Sequence, residues 1–387
     1  MKKPITLFII SFLSASLFAQ DISSTNDTSL YSGFRASRIL SSYPNNQFPH
    51  PAYWQKVGDQ MSEKFENAQP AGIWIVSLYQ ENGYTRLNFP SPGGNFNHIW
   101  FSNEDQNEEW LSYFDEHGLK VWLQVESGAA DIDTLMQLIF DRYQQHACII
   151  GFGVDVEWYQ AQDYSEGKPV TDEEAETWEN AVKSYNPDFT LFLKHYHPGW
   201  MPPQYRGDIL FVDDSQDFTW ASNPLNAMVN EFSVWASAFS PNPSCFQFGY
   251  PADETWWSQL DDPPKDIGQD LIDNIPECKG IFWVDFTITQ IFPVTGVSEK
   301  KELKINLFNY PNPFHNKTSF VLQTDSKIKG HFEIFDIQGN LLIETPERIF
   351  TKGRYEIPFY NSNLSQGTYY YRFVSNGFTE TCKFCRF

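Results

Sequence analysis

The sequence predicts a (β/α)8 barrel, or TIM barrel, followed by a small C-terminal β-sandwich. Apolar segments rich in β-branched and aromatic residues alternate with helical segments at near-regular spacing over residues 21–298. This alternation is typical of consecutive βα units. Polar residues collect where six successive apolar segments end, and the active site of such a barrel lies at that edge. A barrel of about 250 residues also fits the length of this part.

Eight strands, with helices between most of them, can be assigned in order along the chain. Strands are predicted at residues 30–36, 72–79, 120–126, 149–157, 189–197, 209–214, 245–250 and 280–286. Helices are predicted at residues 51–67, 103–117, 131–147, 171–185, 224–239 and 265–274. Gly118 ends the second helix, and Thr171 with Glu174 forms a capping box for the fourth. Residues 80–100 contain Asn, Gly and Pro and are predicted to form a long functional loop.

The two ends of the chain predict export. Residues 1–20 have the basic start, apolar run and small final residues of a secretory signal, with Lys2, Lys3 and Ala19 in those positions. No later stretch approaches the roughly 20 apolar residues of a membrane span. The net charge of −22 argues against nucleic acid or an anionic membrane as partner. No phosphate-binding loop or dinucleotide fingerprint occurs, so we predict no cofactor, and a doubly wound sheet is the weaker alternative.

Residues 299–387 are predicted to form the β-sandwich, because short strands alternate with turn residues there. Three stretches, NYPNPF at 309–314, IFDIQG at 334–339 and LSQGTY at 364–369, occur in this part. In order and spacing they resemble the C-terminal sorting domain of the type IX (Por) secretion system of Bacteroidetes. The resemblance implies handling by the type IX machinery and a secreted or cell-surface location. It implies nothing about chemistry.

The stretch IIGFGVDVEWY at residues 149–159 carries the main catalytic candidates. Asp155 and Glu157 are two positions apart at the end of a predicted strand, so their side chains share a face. Carboxylates in such a position are costly to desolvate and are seldom there for stability. An ion pair with Lys194 that closes the barrel rim is the structural alternative.

Glycoside cleavage needs two carboxyl groups, one protonated and one ionised, on either side of the scissile bond. We predict Glu157 as general acid/base. Asp155 would orient it, raise its pKa or stabilise the transition-state charge. Asp213 is predicted as the opposite carboxylate, although a turn or helix cap would also explain the pair Asp213 and Asp214.

Other polar and aromatic residues near the strand ends are candidates for substrate binding. Aromatic residues make up 17% of the chain, with 13 tryptophans, and flat aromatic rings bind sugar rings, although an aromatic-rich core is the alternative. The predicted binding residues are Glu126, Trp158, Tyr159, Lys194, His195, His197, Asp214, Gln247, Tyr250, Trp283 and Asp285.

Five basic residues concentrate near the predicted barrel mouth: Arg35, Arg38, Lys194, His195 and His197. They are consistent with recognition of a carboxylated or sulfated sugar. His195 and His197 share a strand face, so a metal site is a second interpretation, and a solvated loop is a third.

The stretch GVDVEW at 153–158 resembles the catalytic strand of two families of barrel glycosidases. Family 25 lysozymes end this strand in Asp-x-Glu, which Asp155 and Glu157 match. Family 18 chitinases end it in Asp-x-Asp-x-Glu after an Asp-Gly pair, but here Phe152 replaces the Asp of that pair and Tyr159 replaces the catalytic Glu. Residues 280–283 are also similar to the last strand of family 18 enzymes.

The sequence therefore predicts a secreted, endo-acting glycoside hydrolase that cleaves a polysaccharide by a two-carboxylate, retaining mechanism. A non-catalytic carbohydrate-binding barrel is one alternative, and a lysozyme-like peptidoglycan hydrolase is another. A metal-dependent hydrolase that uses His195 and His197 is a further one.

Overall fold

Parallel strands close into a barrel in the first part of the computed structural model, which describes residues 30–294, 305–324, 327–360, 364–375 and 378–387. The chain divides into two units between Ile291 and Phe292. The predicted signal at residues 1–20 and the predicted domain boundary at 298/299 lie outside the described residues. Within those residues, no helix is both long enough and apolar enough to cross a bilayer.

The described part of the first unit contains ten strands. They are β1 (Leu30–Ala36), β2 (Ala68–Tyr79), β3 (Thr85–Leu87), β4 (Ile99–Phe101), β5 (Lys120–Val125), β6 (Ile149–Asp155), β7 (Thr190–Lys194), β8 (Ile209–Asp213), β9 (Ser244–Phe248) and β10 (Cys278–Val284). Eight of them pair in parallel in the order β1-β2-β5-β6-β7-β8-β9-β10, and β10 pairs with β1. The predicted (β/α)8 barrel is thus confirmed.

Helices cover most of the connections between these strands. They are α1 (Pro51–Ser62), α2 (Glu108–His117), α3 (Ile132–Tyr143), α4 (Asp172–Tyr185), α5 (Pro224–Phe239), α6 (Glu254–Trp257), α7 (Pro263–Asn274) and α8 (Ile288–Ile291). The capping box of Thr171 and Glu174 is present at α4. Helix α2 starts later than predicted from Asn103, because Asp105 accepts hydrogen bonds from the backbone N–H groups of Asn107 and Glu108.

The predicted loop at residues 80–100 contains regular structure. Strand β3 pairs antiparallel with the end of β2, and β4 pairs in parallel with β3. The three strands therefore extend one side of the barrel at its carboxyl edge. The prediction of a long loop missed β3 and β4, because three-residue strands leave no clear period-two pattern.

An apolar cluster occupies the barrel and supports the site above it. Its buried members are Ala71, Ile73, Trp122, Phe192, Leu210, Val212, Cys245 and Phe282. Side chains on a strand alternate between faces, so residues two positions further along each strand point the same way, one layer nearer the carboxyl edge. This alternation decides which polar side chains enter the barrel.

The second unit is the predicted β-sandwich. Its strands are β11 (Ile305–Tyr310), β12 (Lys317–Thr324), β13 (Ile328–Phe335), β14 (Leu341–Glu344), β15 (Arg348–Phe350), β16 (Gly353–Tyr360), β17 (Gly367–Ser375) and β18 (Phe378–Arg386). They form two antiparallel sheets, one of β11, β12 and β16 and the other of the remaining strands. Phe320, Phe332, Tyr371 and Phe384 pack together in the core between them.

Gly153 on β6 gives a test of the packing in the barrel interior. A Cβ atom at this position would overlap the ring of Phe192, its partner on β7. We expect Gly153→Ala to lower the free energy of unfolding by about 1–3 kcal/mol, because the core has no room for the methyl group. The loss should shrink when Phe192→Leu is also present, as denaturant titration of the single and double variants would show.

Gly118→Ala is the matched control for this comparison of single and double variants. Gly118 has a φ of 83°, and the space that an added methyl group would occupy is open, so the cost of about 1 kcal/mol arises from the backbone alone. That cost should be the same with Phe192 or Leu at position 192. Equal costs of Gly153→Ala in both backgrounds would contradict the packing account.

Candidate active site

A layer of polar side chains lies above the apolar cluster at the carboxyl edge of the barrel. Each of them follows a small or apolar residue by two positions on its strand, as Gln124 follows Trp122 and Lys194 follows Phe192. The same relation joins Asp155 to Gly153 and Asp214 to Val212, whereas Asp213 is out of phase. Gln124, Asp155, Lys194 and Asp214 are all buried. The sequence alternation of the strands thus directs these groups into the barrel.

Lys194 is the centre of this layer. Its Nζ lies 2.6 Å from Oδ2 of Asp214, 3.0 Å from Oδ2 of Asp155 and 3.3 Å from Oε2 of Glu157. Gln124 donates a further hydrogen bond to Oδ2 of Asp155 at 3.1 Å. The hydroxyl of Tyr250 donates to Oδ2 of Asp214 at 3.0 Å. One ammonium group therefore joins three carboxyl groups, two from the end of β6 and the residues after it and one from the residue after β8.

The three carboxyl groups differ in exposure and in pKa. The side chain of Glu157 is 24% exposed, whereas those of Asp155 and Asp214 are 1% and 4% exposed. Burial and the charge of Asp214 raise the pKa of Glu157 to about 8, and Lys194 offsets only part of the rise. Burial also raises the pKa of Asp155. Burial alone would lower the pKa of Lys194, but these carboxylates raise it well above its usual value.

A second ion pair lies on the other side of the cavity. Arg35 on β1 contacts Oδ1 of Asp285 at 2.6 Å, and the backbone N–H of Ser37 donates to Oδ2 of Asp285 at 2.8 Å. Glu126 lies nearby and accepts a hydrogen bond from the backbone N–H of Tyr79 at 2.9 Å. Burial and the charge of Asp155 raise the pKa of Glu126 to about 7.

These groups surround a cavity of about 380 Å³. Tyr79 and Trp158 stack on one another at its wall, with ring centroids 4.9 Å apart and an angle of 24° between the rings. Aromatic faces of this kind are flat apolar surfaces beside polar groups. The residues that line the cavity are Arg35, Ile39, Leu78, Tyr79, Gln80, Glu126, Asp155, Glu157, Trp158, Lys194, Asp214, Gln216, Tyr250 and Phe286.

The structure places Asp214, and not Asp213, at the cavity. Asp213 is completely buried, and its Oδ1 accepts hydrogen bonds from the backbone N–H and the hydroxyl of Ser215. Burial raises the pKa of Asp213 well above its usual range. It closes the turn after β8, which is the alternative that the sequence left open. Asp214 has an Oδ1 atom without a hydrogen-bond partner among the described residues.

Other predicted site residues lie outside the cavity wall. Tyr159 donates its hydroxyl to Glu174, and Trp283 donates its indole N–H to Thr287. Gln247 is buried beside Tyr250. Asp285 is engaged by Arg35, as described above.

His195 and His197 also point away from the cavity. Nδ1 of His195 accepts the backbone N–H of His197, and its Nε2 lies 2.9 Å from the carbonyl oxygen of Glu166. Burial lowers the pKa of His195 to about 4, so the ring is neutral at physiological pH. Nδ1 of His197 accepts the backbone N–H of Gly199. Because both nitrogens of His195 are engaged with the backbone, the geometry gives no support to a metal site at this pair.

Groups of His, Cys and acidic residues with metal-ligand spacing occur elsewhere in the described part of the chain. One consists of Asp115, His146 and Cys148, and the other of His331, Glu333 and Glu344. In the first, His146 already contacts Asp115 at 2.7 Å and Glu108 at 3.4 Å, so hydrogen bonds explain its position. Cys148 of the first group precedes β6, at the opposite end of that strand from Asp155, and the second group belongs to the C-terminal unit.

The sequence did not predict several of the residues that line the cavity, among them Tyr79, Gln80, Gln216 and Phe286. Tyr79 is the last residue of β2, so its position at a strand end was a usable signal. The other three lie in loops, where no periodicity indicates the direction of a side chain.

Comparison with known proteins identifies the C-terminal unit. Residues 309–385 match the family of secretion system C-terminal sorting domains. A comparison by sequence with curated proteins gave no match. Among solved structures, dimeric latent PorU from Porphyromonas gingivalis is 21% identical over 21% of this chain and 9% of its own, with a TM-score of 0.19.

Two sugar-cleaving enzymes also match over most of the chain. An endo-β-1,4-mannanase from Thermotoga petrophila is 9% identical and has a TM-score of 0.36, over 93% of this chain and 98% of its own. An FMN-binding β-glucuronidase from Facaelibacterium prausnitzii is 10% identical and has a TM-score of 0.39, over 94% of this chain and 57% of its own. This chain spans less than two thirds of PorU and of the glucuronidase, and these likenesses assign no activity. Residues 309–385 are a type IX secretion sorting domain, and the chain that carries them is an exported protein.

Proposed function

We propose that the barrel is a secreted glycoside hydrolase that cleaves a polysaccharide within the chain. The observation that carries the proposal is the arrangement of Glu157 and Asp214 around Lys194. Glu157 has a pKa of about 8 and so retains its proton at neutral pH. Asp214 faces the same cavity and receives the ammonium group of Lys194. Glycoside cleavage requires two carboxyl groups in one cavity, one of which keeps its proton.

The spacing of these two groups favours retention of anomeric configuration. Because Asp214 and Glu157 contact the same nitrogen at 2.6 Å and 3.3 Å, those two carboxyl oxygens are at most about 6 Å apart. Retaining enzymes hold their carboxyl groups about 5–5.5 Å apart, and inverting enzymes about 6.5–9.5 Å apart.

In the first step, a carboxylate oxygen of Asp214 attacks the anomeric carbon as the glycosidic C–O bond breaks. Glu157 gives its proton to the departing oxygen. In the second step, Glu157 takes a proton from water, and the resulting hydroxide displaces Asp214 from the sugar. Asp155 is fixed by Gln124 and Lys194 and contributes negative charge that keeps the proton on Glu157. Tyr79 and Trp158 bind the face of a sugar ring.

The charges around the cleavage point favour a neutral sugar unit there. Three carboxyl groups surround Lys194, and Asp285 neutralises Arg35. The histidines that the sequence suggested for binding an anionic sugar do not line the cavity. The positive charges predicted to bind a carboxylated or sulfated unit are therefore not available at this position.

A carbohydrate-binding barrel without hydrolysis is the second candidate. The specific observation in its favour is the contact of Lys194 with both Asp155 and Glu157, the ion pairing that the sequence left open as a structural alternative. In that case the Tyr79–Trp158 stack would bind sugar and the charged layer would only close the barrel.

Replacement of Glu157 separates the two candidates. Glu157→Gln keeps the size of the side chain but removes the transferable proton. We expect it to reduce the release of reducing ends from the best substrate roughly 10²–10⁴-fold, the usual contribution of a general acid. The assay uses the full chain on a panel of polysaccharides that includes peptidoglycan.

Glu173→Gln, on the exposed side of α4, is the matched control and should retain full activity. Unchanged activity in Glu157→Gln would refute its assignment as the acid. Binding of a polysaccharide without release of reducing ends from any of the panel would favour the binding barrel.

Adjacent residues give a second test, because only one of them faces the cavity. We expect Asp214→Asn to lose activity at least as severely as Glu157→Gln, because an amide oxygen is a poor nucleophile at the anomeric carbon. Asp213→Asn should retain most activity, since its Oδ1 can still accept the hydrogen bonds from Ser215. The rate of reducing-end release by each variant tests which aspartate acts in catalysis, and the melting temperatures check that both variants fold. The reverse order of losses would restore Asp213 as the opposite carboxylate.

A further inference from the structure

A second cavity, of about 620 Å³, adjoins the candidate active site. Leu78 and Gln80, at the end of β2, line both cavities, so the two meet there. The charged residues of the second cavity are Arg38, Arg86, Glu104, Asp105 and Glu109. A chain of sugar units that leaves the first cavity over β2 would enter this one.

Arg38 packs against two aromatic rings in the second cavity. Its guanidinium carbon is 3.7 Å from the ring centroid of Phe48 and 4.2 Å from that of Trp110. It donates a hydrogen bond to the carbonyl oxygen of Gln106, but its buried Nε has no partner. It forms no ion pair with any carboxylate in the part of the chain that the structure describes. Burial lowers the pKa of Arg38 to about 10, so it remains charged at neutral pH.

Arg86 is the second cation there, and it is exposed. Among the described residues, no hydrogen bond or ion pair engages its guanidinium group. Arg86 pairs with Leu78 on β2 and with Trp100 on β4, so these three side chains share one face of the strand extension. Trp100 is 42% exposed and stacks on Tyr84, with ring centroids 4.8 Å apart. A guanidinium group and a flat aromatic surface therefore lie side by side beyond the first cavity.

Among the described residues, none of the acidic residues of the second cavity forms an ion pair with Arg38 or Arg86. Asp105 is already paired with Arg142 at 2.6 Å and accepts the hydroxyl of Tyr143 at 2.8 Å. Glu104 and Glu109 are exposed, so water and salt screen their charges more than that of the enclosed Arg38. Arg38 and Arg86 therefore keep guanidinium groups that no carboxylate of the described residues contacts.

We propose that the second cavity and the Tyr84–Trp100 stack form a distal subsite for a glycan chain, in which Arg86 and Arg38 bind a carboxylate or sulfate on one of its sugar units. The substrate is then a polysaccharide that presents a neutral unit at the cleavage point and an anionic unit several positions away. The inference rests on the proposed function only for the class of ligand, a glycan. Guanidinium groups suit both anions because their planar N–H groups match two oxygens at once.

Calorimetric titration of the full chain with three tetrasaccharides tests the subsite. One is a hexuronate tetramer, one a sulfated hexose tetramer and one the neutral hexose tetramer, each added to the Glu157→Gln variant so that none is consumed. We expect Arg86→Gln to weaken binding of the preferred anionic tetramer roughly tenfold, the effect of losing a charge-assisted hydrogen bond. Binding of the neutral tetramer should not change. The tetramer that responds identifies the anion as carboxylate or sulfate.

Two further variants complete the experiment. Trp100→Ala should weaken every tetramer that binds, because stacking does not depend on charge. Lys265→Gln removes an exposed cation on α7 and should change nothing. Equal effects of Arg86→Gln and Lys265→Gln, an equal loss for neutral and anionic tetramers, or no binding of any tetramer would overturn the proposal. Because the readout is binding, a loss specific to Arg86→Gln supports the subsite even if no reducing ends are released by the wild type.

Discussion

The candidate active site depends on one ammonium group that three carboxyl groups share. Lys194 lies within 3.3 Å of Asp155, Glu157 and Asp214. A single positive charge cannot balance three negative charges in a cavity that excludes most water, so at least one carboxyl group retains its proton. Glu157 makes the longest of the three contacts, so the loss of its charge costs the least attraction to Lys194. The assignment of Glu157 as the acid follows from this arrangement.

This arrangement has a cost in stability that depends on pH. Burial shifts the pKa of Glu157 from 4.5 to about 8, so between these values the folded chain holds a proton that the unfolded chain releases. Folding is therefore favoured by this group below about pH 4.5, and the contribution is lost as the pH rises towards 8. The carboxyl group of Glu126, with a pKa of about 7, acts in the same direction. Groups that make a fold less stable at the pH where it works are typical of functional sites.

The sequence predicted the architecture well, because long apolar segments with regular spacing report directly on parallel strands and helices. It predicted the site in part. Asp155, Glu157 and Lys194 line the cavity, and strand alternation was enough to place Asp155 and Lys194. Strand β6 ends at Asp155 and a turn follows it, so the position of Glu157 depends on tertiary contact with Lys194. To choose between Asp213 and Asp214, one must know which residues of β8 point into the barrel. Two adjacent carboxylates do not reveal this, because one of them points inward in either case. The second cavity could not be foreseen, since it depends on short strands without a periodic pattern.

Titration of the Glu157 carboxyl group tests the central claim most directly. The ¹³C chemical shift of labelled glutamate side chains would be followed between pH 3 and 10 in the full chain, with Glu157→Gln to identify the signal. The account predicts a midpoint of about 8 for Glu157. A midpoint near the ordinary value of 4.5 would mean that Glu157 is ionised at neutral pH. It could not then act as the proton donor, and the shared ammonium group would be a structural ion pair alone.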